Sequence, residues 1–167
     1  MITTWRMERL SASPHRLPDV VTMVREYVLL TDAWTNRGGP PTELPEVFKA
    51  ELERLPLPAA PPMGETIICI GADGRPVGQG LLIPFDDSRA EIKRLYVRPP
   101  HQGHGAGRTL VRELLESAHA LGYQSVVLDV MPGREGAIRL YDDMGFVNTK
   151  PFRTYEHHNM IFMRRSL

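Results

Sequence analysis

The stretch Leu95-Tyr96-Val97-Arg98-Pro99-Pro100-His101-Gln102-Gly103-His104-Gly105-Ala106-Gly107 reads as the end of an apolar strand, a proline stop, and a glycine-rich loop running straight into an amphipathic helix. Such a loop can turn several backbone N–H groups on one anion, and the helix behind it adds the positive end of its dipole. Glycine matters there because a side chain would hold the anion away from the backbone. The stretch points to a ligand carrying phosphate or pyrophosphate. Two nucleotide patterns fail, however. The dinucleotide fingerprint needs G-x-G-x-x-G early in a βαβ unit with an acidic residue about 20 positions on, and the P-loop ends in Gly-Lys-Ser/Thr. Here Gly103, Gly105 and Gly107 stand two apart, the loop comes late, and Gly107 is followed by Arg108-Thr109. What remains is Gln102-x-x-Gly105-x-Gly107, opening a helix.

Outward from this loop, the pattern alternates strands and helices. Thr3 to Leu10 reads as a first strand with Trp5 and Met7 on one face. Leu17, Val20, Val21, Val24 and Val28 recur at helical spacing, and Leu44, Val47, Phe48 and Leu52 repeat it after the Gly38-Gly39-Pro40-Pro41 break. Four prolines between Pro56 and Pro62 exclude a helix or central strand, so an extended connector is expected. Thr66 to Ile70 is a buried apolar run, Gly71-Ala72-Asp73-Gly74 a hairpin turn, and Pro76 to Phe85 the partner strand. Asp86-Asp87-Ser88 turns into a strand over 89–97. Behind the loop, Leu110, Val111, Leu114, Leu115 and Ala118 share one helix face. Ser125 to Val130 reads as a strand and 135–144 as a helix stopped by Gly145. Phe146-Val147 begins another strand, 150–158 is a loop, and Met160 to Arg164 is a last strand.

Three further segments agree with the loop in order and spacing: Glu91-Ile92-Lys93-Arg94-Leu95-Tyr96-Val97 before it, Ser125 to Val130 after it, and Ala137-Ile138-Arg139-Leu140-Tyr141-Asp142-Asp143-Met144-Gly145-Phe146. Together they resemble the GNAT superfamily of N-acetyltransferases. Gln102-x-x-Gly105-x-Gly107 matches its acetyl-CoA signature, and Ala137 to Phe146 its Ala-x-x-Leu-Tyr-x-x-x-Gly-Phe segment. The resemblance is sharpest over 91–147. It implies an α/β fold of the α+β type, in which residues 1–167 form a single domain. A mixed, mostly antiparallel sheet flanked by helices would have one splayed strand pair holding acyl-CoA.

The resemblance also implies roles. The amides of Gln102, Gly103, His104, Gly105, Ala106 and Gly107, joined by Arg108, would bind the pyrophosphate. Exposed backbone at Leu95, Tyr96 and Val97 would bind the pantetheine arm, with one N–H polarising the thioester carbonyl. Tyr141 would be the general acid for the departing thiolate, since a tyrosine of pKa near 10 still carries its proton at neutral pH; the alternative is a tyrosine filling the face beside Ala137, Ile138 and Met144. Glu91 is the candidate base: alternation puts residues 91, 93, 95 and 97 on one face, and the resemblance implies that a glutamate on this strand at this distance accepts the amine proton, often through water; the alternative is a carboxylate paired with Lys93 or Arg94. The family often has asparagine seven positions before the tyrosine, touching the pantetheine arm. Here that position is Arg134, which either reaches a phosphate or faces water.

In this fold the acceptor side lies between the first two helices, roughly 31–42, and along the loop at 150–158. Trp34, Arg37, Arg153, Tyr155, His157 and His158 are candidates to line it, with Arg37 and Arg153 able to bind a carboxylate. Adjacent histidines point apart on a strand and lack further ligands, so no metal is expected.

Composition sets the remaining bounds. With 167 residues, 42% hydrophobic and 24% charged, the chain is long enough for one well-packed domain. Twenty basic residues balance twenty acidic ones, so no field recruits nucleic acid or an anionic membrane. No run is long enough to span a bilayer, no signal peptide is expected, and the single Cys69 suits a reducing compartment. A cytoplasmic location is expected. Two functions stand side by side. The first is an acetyl-CoA-dependent N-acetyltransferase in which the amine of a small molecule, amino acid or peptide attacks the thioester directly. The second is a noncatalytic acyl-CoA-binding module. The resemblance also admits a homodimer through the C-terminal strand.

Overall fold

The computed structural model describes residues 5–35, 44–155 and 159–167, leaving aside the side chains of 31–35. Arg37, the Gly38–Pro41 break, His157 and His158 lie outside the described residues, as does the side chain of Trp34. In chain order the elements are β1 (Arg6–Arg9), α1 (Leu17–Thr35), α2 (Glu46–Arg54), β2 (Glu65–Ile70), β3 (Pro76–Pro84), β4 (Arg89–Val97), α3 (Ala106–Ala120), β5 (Ser125–Val130), α4 (Glu135–Asp143), β6 (Val147–Asn148) and β7 (Ile161–Ser166). The strands form one sheet in the order β1-β2-β3-β4-β5-β7-β6. Every neighbouring pair is antiparallel except β4 and β5, which run parallel with α3 as their crossover. This is the expected mixed, mostly antiparallel α/β sheet.

Helices cover both faces, which explains why β2 reads as an unbroken apolar run rather than an alternating one. Ile67 and Cys69 join the cluster under α3, built on Leu110, Val111, Leu114 and Leu115. Ile68 and Ile70 point the other way, to Val20, Met23, Val24 and Val28 of α1. Each large side chain so buried contributes roughly 1.5–3 kcal/mol, so the two helices fix the sheet from opposite sides. The fully buried Gln79 adds a polar tie to α1, its amide nitrogen donating to Val20 O and its oxygen accepting from Val24 N, both at 3.2 Å. Arg98 ties α1 to the end of β4, donating to Glu26 at 2.8 and 3.0 Å and to Pro76 O at 2.6 Å.

One detail departs from the sequence reading. The proline-rich segment is not extended; residues 55–63 fold back as consecutive turns, with Leu57 N–H on Arg54 O and Gly64 N–H on Ala60 O. Proline's fixed φ suits a turn as well as an extended chain, so proline count alone cannot choose. The C-terminal strand β7 lies between β5 and β6, leaving β1 and β6 as the sheet's edges. No helix among the described residues is long and apolar enough to cross a membrane.

Candidate active site

The parallel pairing of β4 with β5 covers only Arg89↔Ser125, Ala90↔Val126 and Glu91↔Val127. Past that point the strands part, although β4 continues to Val97 and β5 to Val130. The edge of Ile92–Val97 that would face β5 is therefore left without a strand partner. A bulge shapes the same segment. Lys93 pairs with Leu81 and Tyr96 with Gln79, so Arg94 and Leu95 together oppose Gly80, and Arg94 takes φ 52°. Gly80 permits this crowding, since a Cβ there would stand 3.1 Å from Leu95 Cδ1 of the bulge and 2.6 Å from Leu114 Cδ1 of α3. The extra residue inverts the alternation. Leu95 and Val97 pack with Ile92 in the α3 cluster, while Tyr96 packs with Leu81 in the α1 cluster. Glu91 and Lys93 thus do not share a face with Leu95 and Val97, which corrects the alternation argument.

The glycine loop stands at one end of this opening. Gln102 Nε2 donates to Val97 O at 2.7 Å and closes the loop onto the strand end. Gly103 and Gly105 take φ 76° and 89°, and a Cβ on either would meet no protein atom within 4 Å. The loop's outer side is open, and α3 begins at Ala106. Gly107 lies against α4, where a Cβ would be 3.3 Å from Leu140 Cδ2. The carbonyl of His104 accepts from the Trp5 indole at 3.1 Å, so β1's approach steadies the loop. Arg108 donates to Asp143 at 2.7 Å, which turns it toward the end of α4.

Two cavities run along the splay. One, of about 720 Å³, is lined by Leu95, Tyr96, Val97, Gln102, Gly103, Gly107 and Arg134 among others. The second, of about 480 Å³, is lined by Lys93, Arg94, Leu95, Asp129, Arg134, Tyr141 and Tyr155, with apolar walls from Val28, Phe48, Met131 and Met160. Leu95, Arg134, Tyr27 and Ala137 border both, and the Arg134 guanidinium lies over the Tyr27 ring at 5.6 Å. Tyr141 is 7% exposed and packs edge-on to Phe146. Burial pushes its hydroxyl well above the ordinary tyrosine value, with the nearby Tyr27 adding to the rise and Arg134 opposing it.

Beside the second cavity lies an ionic network. Arg153 donates to Glu91 at 2.7 Å and to Asp129 at 3.2 Å, and the Tyr155 hydroxyl donates to Asp129 at 2.7 Å. Burial is the main reason that the Tyr155 hydroxyl is pushed up to about 12, the Arg153 contact working against it. Glu91 is 2% exposed, and its Oε1 has no hydrogen-bond partner. Lys93 Nζ approaches that oxygen at 3.7 Å. Arg153 is thus committed to two carboxylates of its own chain. Arg94 likewise is held in a bidentate pair with Glu51 of α2. Among the described residues no group of three His, Cys, Asp or Glu converges as a metal site.

Residues 28–146 match the model of the Acetyltransferase (GNAT) family, and the chain belongs to that family. An uncharacterized N-acetyltransferase of Schizosaccharomyces pombe is 36% identical over 105 residues, covering 62% of this chain and 64% of the relative. One from Mycobacterium bovis is 39% identical over 88 residues, covering 52% and 56%. The matched regions thus span less than two thirds of these curated relatives. Among solved structures, an acetyltransferase of Streptococcus agalactiae aligns with a TM-score of 0.76 at 15% identity over 98% of both chains. A phosphinothricin acetyltransferase of Sinorhizobium meliloti in complex with acetyl-CoA aligns at 0.69 and 21% identity, over 100% of this chain and 89% of that one. These structural likenesses show a shared fold.

Asp129 and Lys93 were absent from the sequence-based candidates. Asp129 sits in an apolar run, Val126-Val127-Leu128-Asp129-Val130, where a lone acidic residue was a usable signal. Lys93 entered the sequence reading only as an ion-pair partner of Glu91, which its Nζ approaches at 3.7 Å.

Proposed function

We propose that the chain transfers an acetyl group from acetyl-CoA to the amine of a small molecule, amino acid or peptide, by direct attack of the amine on the thioester. The observation that carries this reading is the parting of β4 from β5 beyond Glu91↔Val127, with the glycine loop at one end and Tyr141 in the wall. The residues present suit acetyl-CoA. The loop is open above Gly103 and Gly105, and one edge of β4 offers backbone groups without a strand partner. When bound, acetyl-CoA supplies an activated thioester. The amides of Gln102–Gly107 would hold its pyrophosphate and the backbone of Leu95–Val97 its pantetheine arm, one N–H polarising the thioester carbonyl. Arg134, at the seam of the two cavities, takes the position where the family's asparagine is often found.

Tyr141 acts as general acid. Its raised pKa keeps the proton on Oη through the neutral range, and the sulfur that leaves needs one proton. Glu91 acts as base through a water. Glu91 Oε1, 3.7 Å from Lys93 Nζ and without a hydrogen-bond partner, is an oxygen that a bridging water would satisfy. Arg153 holds Glu91 and Asp129 in place rather than binding an acceptor carboxylate. The acceptor would then be recognised largely by the apolar walls and the tyrosines of the 480 Å³ cavity.

A thiol-release assay over a panel of amines tests this. Release that runs beyond one equivalent of protein and needs both acetyl-CoA and an amine supports the enzyme. Saturable acetyl-CoA binding with no release from any amine or the protein itself would leave the noncatalytic module.

A further inference from the structure

The chain has three lysines, Lys49, Lys93 and Lys150. Lys49 stands on α2 with a side chain 43% exposed, paired with Glu46 at 2.6 Å, and Lys150 is exposed. Lys93 is placed differently. Its side chain is 24% exposed and lines the 480 Å³ cavity together with Leu95, Asp129 and Tyr141. Its Nζ lies 3.7 Å from Glu91 Oε1, the buried oxygen that lacks a hydrogen-bond partner. A residue of the protein that carries an amine therefore lines the cavity proposed for the acceptor, beside the proposed base and together with the proposed acid. Burial lowers the Lys93 pKa. Glu91 and Asp129 pull it back, while Arg153 and Arg94 add to the lowering, so more of the amine is neutral than in a solvated lysine.

We infer that Lys93 is an internal acetyl acceptor: without an external amine, the protein acetylates its own Lys93, and the acetamide formed fills part of the acceptor cavity. The inference rests on the acetyltransferase reading above. In the step, neutral Nζ forms a bond to the thioester carbonyl carbon and the carbon–sulfur bond breaks. One proton leaves Nζ for Glu91 Oε1, and the sulfur departs as the coenzyme A thiol with a proton from Tyr141 Oη. Proton exchange with water restores both groups. Amine and thioester become amide and thiol, with nothing oxidised or reduced. Acetylation removes the Lys93 charge, leaving Arg153 as the cation on Glu91 among the contacts described.

The test incubates the purified full chain with acetyl-CoA alone, follows intact mass over time, and maps acetyl groups by peptide mass spectrometry. Lys49 and Lys150 serve as controls for uncatalysed acetylation in the same molecule. The expected result is a gain of one acetyl group on Lys93, faster than on either control by about 10²-fold, the scale of positioned acid–base assistance. In Tyr141→Phe the Lys93 rate falls and the control rates do not. Equal acetylation of all three lysines overturns the inference. So does protein that binds acetyl-CoA in a calorimeter yet carries no acetyl on Lys93. Failure to bind acetyl-CoA at all overturns this inference together with the reading beneath it.

Discussion

Tyr141 packs its ring edge-on against Phe146, 5.7 Å between centroids, so removing only the hydroxyl leaves that contact standing. Tyr141→Phe should lower turnover by about 10²-fold or more and leave acetyl-CoA affinity within a few-fold, read as kcat against Kd. A loss of melting temperature with turnover intact would make Tyr141 a core residue only. Because its pKa is raised, the pH–rate curves of the wild type and of the slower variant should have the same shape up to the ordinary tyrosine value. Cys69 gives a second prediction at this scale. It is fully buried in β2, and burial pushes its thiol up to about 12. A disulfide reagent at mildly alkaline pH should leave the native protein unlabelled and react once denaturant unfolds the sheet. Single residues were legible where their type is unusual for their place. Tyr141 and the loop glycines could be named from sequence. Asp129 carried only the signal of a lone acid in an apolar run and Lys93 only that of an ion-pair partner for Glu91, because their place in the site comes from a cavity that forms where β4 and β5 part.

β4 is the element that organises the site, and its bulge was the least legible feature. Counting alternate residues assumes an unbroken period of two, and nothing in Glu91-Ile92-Lys93-Arg94-Leu95-Tyr96-Val97 announces a break. The cue lies across the ladder at Gly80, where the missing side chain makes room. Arg94, the bulge residue, also docks α2: its guanidinium pairs with Glu51 and lies over the Phe48 and Tyr27 rings at 5.1 and 5.7 Å. Arg94→Ala should destabilise the protein by about 2 kcal/mol, the usual scale for charge-assisted hydrogen bonds, and raise protease sensitivity first in α2. The loop makes a complementary prediction. Gly105→Val places a β-branched residue at φ 89°, a strain of about 1–3 kcal/mol, and sets a side chain over the open amides. Acetyl-CoA binding should be lost while the fold, followed by circular dichroism, persists. Helices and strands with strong periodicity were legible throughout. The proline run was not, because turns and extended chain share proline's φ.

Charges paired across elements make the whole molecule sensitive to acid. Glu26 of α1 is held below the ordinary carboxylate range chiefly by its hydrogen bond from Arg98, and Asp86 is lowered to about 2 by Arg89 and the turn amides. A carboxylate with a depressed folded pKa contributes stability above its unfolded value, and that contribution disappears as pH falls through the folded one. Melting temperature should therefore fall as pH drops below about 4 toward 2, and Glu26→Gln should flatten the upper part of that fall. An unchanged profile would show that the α1–β4 tie contributes little. At this scale the sheet, its two helical layers and the family were readable from four ordered segments. The position of β7 between β5 and β6 was not, since strand order across a long connection leaves no local trace in sequence.

The proposed activity requires acetyl-CoA seated between the glycine loop and the open edge of β4. A calorimetric titration of the purified chain with acetyl-CoA, coenzyme A and NADH tests that most directly. Saturable micromolar binding of the first two, none of NADH, and loss of both heats in Gly105→Val are expected. Folded protein that binds neither acetyl-CoA nor coenzyme A, or binds NADH equally well, would contradict the proposed activity.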